Sequence, residues 1–157
     1  MLLFVPFISF SQVSFNELMS IDSKDTFIKL MIDKKYSGIN SDVSDIAFAL
    51  EPETSDEGKP LSTSFSYYYS FSNTYEFEFQ RKGTYTNVYT GAVVREGIVS
   101  NPYDPLLRKV KRKCDYIEIR TIGTRNYVLY DCDKAKFDGF IGLTVSGTSG
   151  IVKTFQD

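Results

Sequence analysis

The stretch FSYYYSFSNTYEFEFQ, residues 65–80, decides the fold class. Large aromatic residues recur at every second position: Phe65, Tyr67, Tyr69 and Phe71, then Tyr75, Phe77 and Phe79. Side chains of an extended chain alternate between two faces, so a period of two over this length predicts strands rather than helix. Ser72-Asn73 supplies turn chemistry between the runs, which makes them a hairpin of Phe65–Phe71 with Tyr75–Gln80. Glu76 and Glu78 alternate with the aromatic residues of the second run, as expected of a sheet apolar on one face and solvated on the other. The alternating aromatic sets are read as core, each ring burying about 150–250 Å². The outward tyrosines, Tyr68 among them, are the candidate platform for a sugar or a peptide.

The same period marks further strands on both sides. Asp45–Leu50 precedes the hairpin, and Thr84–Thr90 follows it after Lys82-Gly83. Downstream, Tyr116–Ile122 and Asn126–Cys132 flank Gly123-Thr124, and Phe140–Val145 and Ile151–Phe155 flank SGTSG, residues 146–150. Helical spacing occupies the gaps. Ser14 with Glu17 forms a capping box that opens a short helix to about Ile21. Asp22 or Ser23 caps a second helix, with Phe27, Leu30 and Met31 on one side, that ends at Ser37-Gly38. Asn101-Pro102 opens a third, in which Tyr103, Leu106, Leu107, Val110 and Cys114 recur at helical spacing.

Helices, four strands, helix, four strands is an α+β order: an antiparallel β-sheet layered against helices. It predicts a single domain over residues 12–157, divisible into two α-β4 halves at 12–91 and 92–157. In this element order the chain resembles the tandem-repeat fold of secreted β-lactamase-inhibitor proteins and related small bacterial envelope domains. That resemblance implies the layered fold and an inhibitor of an exported enzyme. It carries no residue across.

Composition narrows the chemistry. The chain has no His, which excludes Ser-His-Asp and Cys-His catalysis, His-ligated zinc and imidazole switches. Asp131, Asp133 and Asp138 miss the spacing of a calcium loop, and no other metal or cofactor motif is present. Glu76 and Glu78 share a strand face and are the only carboxylate pair suggestive of hydrolysis, a role weaker than simple solvation. Five cations crowd the six residues Arg108–Lys113, yet the net charge is −2, so no nucleic-acid partner is expected. The cations fall on the solvated sides of the third helix. Arg108, Lys109, Lys111 and Arg112 form a candidate patch for anionic glycans or lipid headgroups.

The first residues, MLLFVPFISFSQ, combine an apolar run from Leu2 to Ile8 with Ser9-Phe10-Ser11, a small-x-small cleavage pattern. They read as a secretory signal peptide over residues 1–11 that lacks the basic n-region, and no later run is long enough to span a membrane. Export to an oxidising compartment favours a disulfide between Cys114 and Cys132, the only two cysteines. The reading that follows is a periplasmic or extracellular, non-enzymatic binding module. It would recognise a protein or glycan through its sheet face or loops.

Overall fold

The computed structural model describes residues 13–58, 60–80, 84–86, 93–96, 103–147 and 149–156. The leader at 1–11, the end of the strand expected at Thr84–Thr90 and the Asn101-Pro102 helix start lie outside them. In chain order the elements are α1 (Phe15–Met19), α2 (Lys24–Asp33), β1 (Tyr36–Ile39), β2 (Ile46–Leu50), β3 (Glu53–Thr54), β4 (Pro60–Leu61), β5 (Ser64–Tyr69) and β6 (Thr74–Gln80). After these come β7 (Thr84–Thr86), β8 (Val93–Glu96), α3 (Tyr103–Lys113), β9 (Asp115–Ile122), β10 (Arg125–Asp131), β11 (Phe140–Ser146) and β12 (Ser149–Phe155).

Eight strands form one antiparallel sheet in the order β1-β2-β5-β6-β12-β11-β10-β9. The four sheet strands before α3 are contiguous, as are the four after it, and the two sets meet where β6 pairs with β12; β1, not the strand expected from Thr84, completes the first set. The pairs β3–β4 and β7–β8 are separate two-stranded ribbons.

Local chemistry explains the helix starts. The Ser14 N–H donates to Glu17 Oε2 at 2.8 Å while the Glu17 N–H donates to Ser14 Oγ at 3.3 Å, completing the expected box. Ser23 and Thr26 make the same reciprocal pair at the start of α2. The second helix stops earlier than Ser37-Gly38. Lys35 adopts φ 66° and turns the chain into β1, a four-residue edge strand too short to show a period of its own.

The near face of the sheet, toward α2 and α3, carries the main core. Phe27 of α2 packs its ring against Phe48 of β2 and against Tyr75 and Phe77 of β6, with centroids 5.2–5.9 Å apart. Beneath the helix lie Ser64 and Ser66, small enough to admit it: Ser66 Oγ donates to Met31 Sδ, and Tyr36 Oη meets Ser64 Oγ. From α3, Tyr103, Leu106 and Val110 join the same cluster. The Tyr103 ring lies so close over Gly150 that a Cβ there would sit 2.2 Å from it. Glycine at this position is what lets α3 approach β12.

The Cys114–Cys132 disulfide forms as expected, with Cα atoms 4.4 Å apart. It ties the C-terminal end of α3 to the end of β10. Among the described residues no helix is long and apolar enough to cross a membrane.

One expectation is corrected by the sheet register. β5 pairs with β6 so that Tyr68 faces Tyr75, Ser66 faces Phe77, and Tyr67 faces Glu76. Directly opposed residues share a face. Tyr68 is therefore a core residue, 9% exposed and ring-packed on Tyr75, rather than an outward tyrosine. Phe65, Tyr67 and Tyr69, expected in the core, occupy the far face with the glutamates. Phe71 lies past the end of β5 and is fully exposed.

Candidate functional site

The far face holds aromatic rings and charges together. Along β5, Phe65, Tyr67 and Tyr69 make a row with successive ring centroids 6.4 Å apart. The neighbouring strands contribute Glu76 and Glu78 from β6 and Lys153 and Phe155 from β12, with Lys153 directly opposite Glu76. From β10 come Arg125 and Tyr127. All of these but Phe65, with Val43 and the β9–β10 turn, line a concave pocket of about 450 Å³.

Glu76 is the centre of its polar side. Its side chain is only 7% exposed, and each carboxylate oxygen faces a cation: Lys153 Nζ at 3.2 Å from Oε2, Arg125 Nη1 at 3.5 Å from Oε1. A carboxylate this buried requires such partners, because desolvation of a lone charge costs several kcal/mol. The Lys153 ammonium also sits 4.3 Å from the Tyr69 ring centroid and 5.9 Å from that of Phe155. Arg125 donates to the Tyr127 side chain, which with the nearby Glu76 charge holds the guanidinium protonated more firmly than usual.

The Arg125–Glu76 contact reports the shape of the sheet. Register carries Glu76 across to Lys153, Gly142 and Leu129, and Arg125 lies four residues before Leu129 on a strand three spacings away. On a flat sheet that is about 14 Å across and about 14 Å along, beyond the joint reach of the two side chains. The sheet therefore twists and curls until the β9–β10 turn bends over the far face toward β6. Gly142 assists at the floor: a Cβ there would meet the Phe155 ring at 2.4 Å. With the glycine, Phe155 crosses β11 and packs edge-on against Tyr127, centroids 5.0 Å apart.

The pocket tyrosines are poised as neutral hydroxyls. Burial, reinforced by the Glu78 and Glu76 charges, pushes Tyr67 up to about 12. Burial and Glu76 likewise raise Tyr69, and burial raises Tyr127 against the opposing hydrogen bond from Arg125. The wall thus offers ring faces and hydroxyl donors beside a fixed ion-pair cluster. This combination suits a ligand that has both apolar surface and many hydrogen-bonding groups.

The other expected site residues lie elsewhere. Arg108, Lys109, Lys111 and Arg112 are exposed along α3, on the near side, so the sheet separates them from the pocket. Tyr68 is buried on that side too. Sequence reasoning does not single out Tyr67, Tyr69, Arg125, Tyr127 or Lys153. Parity was the available signal. A hairpin loop of an even number of residues, such as Ser72-Asn73, sets residues of opposite parity face to face, so the odd-numbered Tyr67 row joins the even-numbered glutamates.

No protein-family model matches this chain, and neither does any curated protein or any solved structure. The residues alone carry the functional argument.

Proposed function

We propose that the chain is an exported, non-enzymatic binding module that takes a glycan or a protein segment into the far-face pocket. The observation that carries this reading is the wall of Tyr67, Tyr69, Tyr127 and Phe155 around the buried Glu76 and its two cations, Lys153 and Arg125. Ring faces supply contact area, and preset donors and acceptors supply orientation at low entropic cost. The Cys114–Cys132 bond supports export, since disulfides persist in oxidising compartments. Both oxygens of Glu76 are engaged by cations, which argues against a hydrolytic pair with Glu78.

A second reading, an inhibitor of an exported enzyme, is favoured by the strand order. Contiguous four-strand sets on either side of α3 support a reading of two α-β4 halves, with β1 in the place expected for the strand at Thr84–Thr90, and it is this element order that resembles secreted inhibitors. The two readings part in a binding screen of the oxidised protein on a glycan array and a panel of exported enzymes. Retention of a glycan that Tyr67→Ala/Tyr69→Ala abolishes supports the pocket. Loss of one enzyme's activity in the presence of the protein supports the inhibitor. A hit unaffected by the double substitution removes the pocket from either role. Intact mass after secretion reports the remaining step, with an N-terminus at Gln12 and a mass two hydrogens below the reduced form expected.

A further inference from the structure

We infer that the outer edge of β9 pairs antiparallel with the same edge of a second copy, centred on Ile119. β9 ends the sheet order, and among the described residues no strand pairs with its outer edge. Its side chains from Asp115 to Arg120 are largely exposed, and Tyr116 and Ile119 rank among the exposed large hydrophobic residues at 61% and 64%. An eight-residue edge of this kind is a template for strand addition.

Backbone geometry selects the register. Ile122 and Arg125 flank the two-residue Gly123-Thr124 turn, which makes them a hydrogen-bonded pair. Alternation then points the N–H and C=O groups of Arg120 and Glu118 inward, and those of Thr121 and Ile119 outward. A twofold axis at Ile119 lets the two Ile119 residues exchange both backbone bonds and places their side chains in contact. The same axis sets Glu118 of each copy opposite Arg120 of the other, at the closer, non-hydrogen-bonded spacing. Within one copy these residues already pair, Arg120 Nε to Glu118 Oε1 at 2.7 Å, so association exchanges like interactions without stranding a charge. Centring on Glu118 or Arg120 would oppose like charges. The register shift opposite Leu129 and Tyr130 leaves Ile117 of β9 as an extra, bulged residue, which limits regular pairing to residues 118–120. So short an interface falls below the roughly 1,200 Å² of stable complexes, and the dimer is weak and concentration-dependent.

Sedimentation velocity of the oxidised full chain, from dilute to concentrated solution, tests this. The wild type should pass from monomer to dimer. Glu118→Arg and Arg120→Glu should each weaken self-association by about tenfold through like charges across the axis. An equimolar mixture of the two variants should recover it, because every cross-strand pair is again opposite in sign. Both positions are about half exposed, so the variants should keep the native circular dichroism spectrum, which is recorded alongside. Ile119→Pro serves as a further probe, since it removes an outward N–H without breaking the β10 ladder. A wild type that stays monomeric, variants that dimerise as well as wild type, or a mixture that recovers nothing overturns the pairing. Recovery in the mixture ties the contact to Glu118 and Arg120.

Discussion

The two faces of the sheet use the same residue types for opposite ends. On the near face, Phe27, Phe48, Tyr75 and Phe77 pack ring to ring under α2, and the polar groups among them are small hydroxyls paired locally. On the far face, rings of equal size stand beside a buried carboxylate and two cations, around a pocket. Aromatic residues on a strand thus do not announce core. What separates the faces is the company each ring keeps on its own side, small hydroxyls and apolar groups under the helices against charges on the far side, and the register sets that.

The comparison breaks most visibly at Phe27. Phe27→Ala should cost about 3–5 kcal/mol in chemical denaturation, because the ring is fully buried and its three partners cannot close the gap. On the far face the matching change is Glu76→Gln, which leaves Lys153 and Arg125 without their shared counter-charge. A loss of about 1–3 kcal/mol is expected, against less than about 0.5 kcal/mol for Glu118→Gln at the exposed edge. Equal effects of the two glutamate changes would mean that Glu76 is not the centre of a built cluster.

Alkaline titration sharpens the comparison in a different way. Tyr36 on the near face and Tyr67 on the far face are both raised to about 12, each chiefly by burial. A pKa raised in the folded state contributes stability that is intact below the unfolded value of about 10 and is lost as pH climbs through about 12. Absorbance at 295 nm should therefore show only part of the tyrosine titrating near pH 10, with the remainder appearing together with unfolding at higher pH. Complete titration at pH 10 with native circular dichroism would contradict the burial of both rows.

Much of this architecture is legible in the sequence. The capping box at Ser14, a helix cap at Asp22 or Ser23 (Ser23 in the structure), the alternation on either side of Gly123-Thr124, the amphipathic spacing from Tyr103 to Cys114 and the cysteine pair each express a local rule, and each appears in the structure. The face of Tyr68 depends instead on pairing between two strands, and periodicity within one strand is silent about it. The reach of Arg125 to Glu76 depends on twist accumulated over four strands, which no local pattern encodes. β1 escapes notice because four residues after a left-handed Lys35 carry too little alternation to register.

The smallest effect is expected on α3. Arg108→Ala/Lys109→Ala/Lys111→Ala/Arg112→Ala should change folding stability by only a few tenths of a kcal/mol per residue, since these side chains are exposed. Any binding they do support should weaken with salt, whereas binding in the far-face pocket should persist in the quadruple variant.

The most direct test of the far face as the functional surface is a backbone-amide NMR titration with the strongest glycan-array hit. Shifts should concentrate at Tyr67, Tyr69, Arg125, Tyr127 and Lys153, and vanish in Tyr67→Ala/Tyr69→Ala. Shifts centred instead on residues 108–113 of α3, with the pocket amides unmoved, would contradict the account.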